Sequence, residues 1–198
     1  MQSTIKVIAI ALCAGLLGIV AAIALNGPTP LLRTELGQRM LQRLFASTAT
    51  PPPLGVRVAQ RGEVVPDLAL RDRDGRKVIF PKAFAGQRVL VNVWATWCAP
   101  CRREMPELDR FSAQQAGNRI RVVGIALDDA AAVDAFLREV RVRYPVLIGR
   151  PGPADAGVRL GNPKSVLPYS VLIDVDGRLL KQRIGPFADG EIENWAAN

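Results

Sequence analysis

Two cysteines three positions apart, in the string Trp97-Cys98-Ala99-Pro100-Cys101, are the residues of this chain best suited to chemistry. They follow an apolar run and stand beside two of the three tryptophans. The third cysteine, Cys13, is distant, and the chain contains no histidine. Without an imidazole, Cys-His and Ser-His-Asp catalysis are excluded, as are histidine-containing zinc and copper sites. Three cysteines also fall short of a four-thiolate zinc site, so no metal is expected. Dithiol chemistry remains. A thiolate attacks a disulfide, and a second thiol one turn away closes an intramolecular disulfide and expels the partner. A purely structural disulfide across so short a loop would remove little chain entropy.

The thiols do this only if the backbone presents them. Arg88–Trp94 (RVLVNVW) is β-rich and long enough for a buried strand. Pro100 suits the first turn of a helix over Arg102–Ala116, where Met105, Leu108 and Phe111 recur at helical spacing. Cys98 therefore stands at the carboxyl end of a strand and the amino end of a helix. There, unpaired N–H groups and the positive end of the dipole stabilise a thiolate. In open α/β sheets this is also where chemistry collects.

The remaining punctuation is readable. Asp72-Arg73-Asp74-Gly75 separates Asp67–Leu70 from Lys77–Phe80 as a hairpin turn would. Ile120–Leu127 predicts a second buried strand. Asp128-Asp129 suits the cap of a helix over Ala130–Arg141, with Val133, Phe136, Leu137 and Val140 as its apolar face. Tyr144–Ile148 reads as a short, edge-like strand. Tyr169–Val175 and Arg178–Ile184 form a hairpin about Asp176-Gly177, and a last helix runs over Ala188–Ala197. This order predicts an α/β fold: a central mixed sheet flanked by helices, with an extra N-terminal β-hairpin.

Ahead of it, Ile5–Leu25 contains a single charge, Lys6. At about 1.5 Å per helical residue it matches a hydrocarbon core of roughly 30 Å. Residues 1–25 are therefore expected to form a transmembrane helix, with a cleaved signal sequence as the rival, since Ala22-Ile23-Ala24 suits cleavage. Cys13 would lie inside that segment. Residues 26–62 read as a juxtamembrane segment and Pro-rich linker. Leu36, Met40 and Leu44 form one stripe of a short helix there, either a plain linker helix or one lying on the membrane, and Pro51-Pro52-Pro53 is a stiff spacer. The compact domain is expected over 63–198. Net charge is +8, from 26 basic and 18 acidic residues, without a basic run or many aromatics, so no nucleic-acid partner is expected. By the positive-inside count, Arg33, Arg39 and Arg43 would keep the domain cytoplasmic. A leader this short normally exports the chain behind it, and dithiol chemistry suits export. The expected location is therefore the inner membrane, single-pass, with the domain on the periplasmic or other extracytoplasmic side.

With these pieces in place, the chain resembles the thioredoxin superfamily. WATWCAPCRREMP, with Glu104 and Pro106 after the cysteines, is similar to its membrane-tethered branch, the thiol-disulfide reductases of the TlpA and ResA type. The PDLALRDRDGRKV hairpin, Leu167-Pro168-Tyr169-Ser170 and the VLIDVDGRLL hairpin extend the resemblance over about residues 63–197. It implies a thioredoxin-like fold and a redox-active Cys98–Cys101 pair needing no other cofactor. Pro168 would be a cis proline facing the cysteines, with Leu167 beside it free to pair with a substrate strand, and Trp97 and Pro100 would shape the site. Trp94 suits either a shield or the core. Thioredoxin's buried aspartate six positions before the first cysteine is replaced by Asn92. The proton acceptor is then sought among Glu104, Asp128 and Asp129, which otherwise favour a helix turn or cap a helix. The expected function is reduction of disulfides in exported proteins, such as cytochrome c or copper-site maturation clients, with electrons from a transmembrane donor. Pro100 is similar to the reducing members, whereas strong oxidants tend to carry histidine there. The alternatives are a thiol peroxidase, whose motif wants Thr or Ser where Ala95 stands, a copper-delivery protein, which wants a histidine, and a non-catalytic binding module.

Overall fold

The computed structural model describes residues 6–8, 10, 15, 18, 32, 34–115 and 120–197. Most of the expected 1–25 anchor lies outside the described residues. Among those described, no helix is long and apolar enough to cross a membrane. The chain divides into two compact units, Met1–Arg43 and Leu44–Asn198.

Helix α1 (Glu35–Thr48) starts where Thr34 accepts the Gly37 N–H on its hydroxyl, at 3.0 Å. It ends where the Ser47 and Thr48 hydroxyls both donate to the Leu44 carbonyl. Its last turn is part of the larger unit: the Lys164 ammonium lies 5.2 Å above the Phe45 ring.

The larger unit is built on one seven-stranded sheet. Its strands are β1 (Leu68–Arg71), β2 (Lys77–Phe80), β3 (Arg88–Trp94), β4 (Ile120–Leu127), β5 (Val146–Gly149), β6 (Tyr169–Ile173) and β7 (Leu179–Ile184), in the order β2-β1-β5-β4-β3-β6-β7. β3 runs parallel to β4 and antiparallel to β6. Leu90, Val91, Val93 and Trp94 are all fully buried, as a central strand covered on both faces requires. One face of the sheet packs on α2 (Ala99–Gln114), α3 (Ala130–Glu139) and α5 (Glu191–Ala197), through a core that includes Leu90, Trp94, Met105, Phe136 and Ile192. The short α4 (Ala156–Arg159) lies across the other face, where a Cβ on Gly157 would stand 3.6 Å from Val93. The mixed sheet with its flanking helices and leading hairpin is the thioredoxin-like α/β fold.

Four differences from the sequence reading have physical causes. β5 is not an edge strand: β4 pairs with it in parallel, and β1 closes its other side through Arg71 and Ile148. Asp129 occupies the N-cap position of α3, but its carboxylate makes no capping bond. α4 falls in the stretch read as irregular, with the Asp155 carboxylate accepting the Val158 N–H at 2.9 Å. Finally, residues ahead of Glu63 are already bound into the domain: Ala59 is buried and its N–H donates to the Arg159 carbonyl at 2.9 Å.

Candidate active site

β3 delivers the chain to the site. After Trp94 the loop Ala95–Trp97 turns, the Cys98 N–H donates to the Ala95 carbonyl at 3.1 Å, and Cys98 becomes the N-cap of α2. Its Sγ accepts the Cys101 N–H at 3.3 Å, satisfying one of the donors a helix start leaves open. Ala99 is the first helical residue and Pro100 the second, a place where a missing N–H costs nothing. Cys98 and Cys101 are joined as a disulfide, with Cα atoms 5.3 Å apart. Cys101 is fully buried, and Cys98 retains a sliver of exposure. The two tryptophans part company. Trp94 is buried, its ring 5.2 Å from that of Phe136, whereas Trp97 is 72% exposed next to Cys98.

The loop that faces the end of β3 carries Leu167 and Pro168, and their peptide bond is cis. Tyr169, immediately after, pairs with Val93. Leu167 packs against the core cluster that contains both cysteines. Buried Asn162 braces the loop, donating to the Val166 carbonyl at 2.8 Å and accepting the Val166 N–H.

The three candidate carboxylates have different surroundings. Asp128 accepts both the N–H and the hydroxyl of Thr96, and so pins the loop that leads into Cys98. Burial opposes its ionisation, but the Thr96 and Asp129 donors outweigh it and hold the carboxyl below its ordinary range. Asp129 is exposed. Glu104 is buried one turn past Cys101, so the two side chains share a face of α2. It accepts the Asn92 amide at 2.7 Å and the Phe187 N–H at 3.0 Å. Burial pushes its carboxyl up to about 7, against the opposing pull of Phe187, Asn92 and Arg183, and Glu107 adds to the rise. Asn92 also donates to the Ser170 hydroxyl at 3.1 Å, and so ties Glu104 to the strand that follows Pro168.

Sequence reasoning passed over a further layer. Arg183, on β7, is fully buried, donating to both oxygens of Glu191 at 2.7 and 2.9 Å and to the Pro186 carbonyl at 2.9 Å. Its guanidinium lies 4.7 Å over the Phe187 ring. The residues after β7 bind three carboxylates through the backbone: Phe187 N–H to Glu104, Ala188 N–H to Glu191 and Gly190 N–H to Glu107. Gly190, at a left-handed φ of 72°, lies outside helical geometry, and the last helix starts only at Glu191. Nothing in the sequence set Arg183 apart, because β7 (LLKQRI) carries Lys181 and Gln182 beside it. Among the described residues, no group of three or more potential ligands is placed to hold a metal.

Comparison with known proteins gives concordant findings. The family model described as Redoxin matches residues 60–197. The chain is 30% identical over 139 residues to the thiol-disulfide oxidoreductase ResA of Bacillus cereus, covering 69% of this chain and 76% of that protein. It is 31% identical over 139 residues to the thioredoxin-like protein YneN of Bacillus subtilis, covering 68% and 77%. Among solved structures, a thiol:disulfide interchange protein of the thioredoxin family from Chlorobium tepidum superposes with a TM-score of 0.57 at 23% identity, over 71% of this chain and 97% of that one, and so shares the fold.

Proposed function

The chain belongs to the Redoxin family and is a thiol-disulfide oxidoreductase acting on protein disulfides; from that premise we infer that it works as a membrane-tethered reductase through Cys98 and Cys101. The observation that carries this reading is the asymmetry of the pair. Cys98 caps a helix and takes an N–H on its sulfur, whereas Cys101 is fully buried one turn from the Glu104 carboxyl, which burial pushes up to about 7.

In the reduced protein, the Cys98 thiolate, stabilised by the helix start, attacks one sulfur of a client disulfide. A mixed disulfide forms, and the other client sulfur leaves as a thiolate that takes up a proton. The Cys101 thiol then gives its proton to Glu104 and attacks the Cys98 sulfur. This expels the second client sulfur as a thiolate, which takes up a proton, and leaves the Cys98–Cys101 disulfide. A base whose pKa lies near the working pH suits that transfer. Asp128, held ionised on Thr96, serves instead to position the active-site loop. The client strand runs along Leu167 and Pro168, with Trp97 as an exposed apolar contact.

The residue before Cys101 is Pro100, and no histidine over-stabilises the Cys98 thiolate, so the couple belongs near the thioredoxin end of the scale. Its clients are disulfides of exported proteins, cytochrome c or copper-site maturation among them, and a transmembrane donor restores the dithiol. The apolar 5–25 segment supports tethering at the inner membrane with the domain outside the cytoplasm.

Two measurements test this. The potential of the Cys98–Cys101 couple should lie nearer about −270 mV than about −120 mV, and a value above about −180 mV would overturn the reductase direction. Cys101→Ser should accumulate mixed disulfides with clients and Cys98→Ser should not; equal trapping by both would overturn the division of labour.

A further inference from the structure

α1 turns an apolar stripe to solvent. Leu36, Met40 and Leu44 are 69%, 64% and 57% exposed, although each is large and they stand one turn apart. At about 100° per residue, the three fall within roughly 80° of the helix circumference. Arg43 and Arg39 follow on one flank, within about 60° of Leu36 on the same measure. A helix meant for water alone would place polar side chains along that arc, and a contiguous exposed apolar strip marks a binding surface.

Charge identifies what covers it. Residues 26–50, between the apolar segment and the Pro-rich spacer, hold three basic side chains (Arg33, Arg39, Arg43) against the single acidic Glu35. Residues 63–198 hold twenty against seventeen. The positive excess per residue is thus higher in the segment that carries the stripe. Glu35 does not offset it firmly: its pair with Arg39, at 2.9 Å, is half exposed on both sides and readily exchanged for another anion. A strip of Leu and Met rimmed by arginines suits the boundary between acyl chains and anionic headgroups, with the arginine stems lying on the apolar side and their guanidiniums reaching phosphate.

We propose that α1 lies on an anionic lipid surface, with Leu36, Met40 and Leu44 in the acyl boundary and Arg39 and Arg43 on headgroup phosphates. This rests on the tethered reading and adds to it a second, peripheral contact. It also accounts for the arginines that contradict the positive-inside count. They sit beyond the apolar segment because their partner is the leaflet on the domain's own side.

The test uses the full chain with Cys13→Ser, the Cys98–Cys101 disulfide left closed, and a nitroxide attached at Met40→Cys. It is reconstituted in vesicles of phosphatidylcholine alone or mixed with phosphatidylglycerol. Flotation reports tethering, and collision with oxygen or with a water-soluble nickel chelate reports the surroundings of the label. With phosphatidylglycerol present, nickel accessibility should fall severalfold and oxygen accessibility rise, and Arg39→Gln with Arg43→Gln should restore most of the nickel accessibility. Disulfide-exchange rates should stay unchanged, since none of these residues belongs to the active site. Protein that floats with the vesicles while its label remains nickel-accessible overturns the α1 contact and leaves tethering intact. Protein that does not float at all overturns both. Spin–spin broadening between labels would show a second copy on the stripe, and that too overturns the proposal.

Discussion

Replacing Glu104 by glutamine should change the pH dependence of stability by a calculable amount. In the oxidised fold the carboxyl is raised from 4.5 to about 7, chiefly by burial. A raised carboxyl binds its proton more tightly in the fold than in the unfolded chain. Its contribution to stability is therefore fully present below about 4.5 and is lost as pH rises through about 7. At about 1.4 kcal/mol per pH unit across the interval between those two values, the loss from pH 5 to pH 8 is on the order of 2–3 kcal/mol. The Glu104→Gln side chain cannot ionise, so the variant escapes this loss. It does replace one acceptor oxygen by an NH2 group facing the Phe187 N–H, at a cost of about 1–3 kcal/mol that does not vary with pH. The difference in unfolding free energy between wild type and variant should therefore move by roughly 2–3 kcal/mol in the variant's favour over that range. Urea unfolding of the oxidised proteins at several pH values, followed by tryptophan fluorescence, measures it. All other titrating groups are common to both proteins and cancel. A difference that stays flat with pH would refute the burial argument for Glu104, and with it the basis for assigning this residue the proton.

Other perturbations separate the supporting roles. Asp128→Asn should destabilise the oxidised domain by about 1–2 kcal/mol near pH 7 by removing a charged acceptor from Thr96. Because the Asp128 carboxyl is lowered, that difference should fade as pH drops through its ordinary 3.8, which acid-range unfolding would show. Arg183→Met strands Glu191 in a largely buried place and should cost about 3–5 kcal/mol in chemical unfolding, with most of it recovered in the Arg183→Met, Glu191→Leu double variant. Gly124→Ala sets a methyl 3.1 Å from both the Trp94 and Tyr144 rings, which are themselves buried. Overpacking of about 1–3 kcal/mol should appear as a lowered thermal midpoint. Trp97→Ala should weaken client binding while leaving the reduction potential and stability nearly unchanged, because the indole is exposed.

How much of this was legible in the chain depends on which forces act locally. β3 and β4 begin and end at the residues their apolar runs mark, since a strand covered on both faces reads as a nearly continuous apolar run, the buried polar exception in β3, Asn92, being bonded to Glu104 and Ser170. Both hairpins and the placing of Cys98 at a strand-to-helix junction come from turn chemistry and helix spacing, which act over a few residues. Whether β5 is an edge or an interior strand is not written in Val146–Gly149; it depends on β1 arriving from some seventy-five positions earlier to pair with it. The proton acceptor is the plainest case. Glu104, Asp128 and Asp129 are equivalent carboxylates in the sequence, and only tertiary packing distinguishes them. Glu104 is buried because α2 turns it inward with Cys101, and its partners Asn92 and Phe187 stand 12 and 83 positions away. Asp128 is drawn to Thr96 across 32 positions, and Asp129 is left to water. A pKa measures the free energy of a charge in its surroundings, and those surroundings exist only once distant segments have packed.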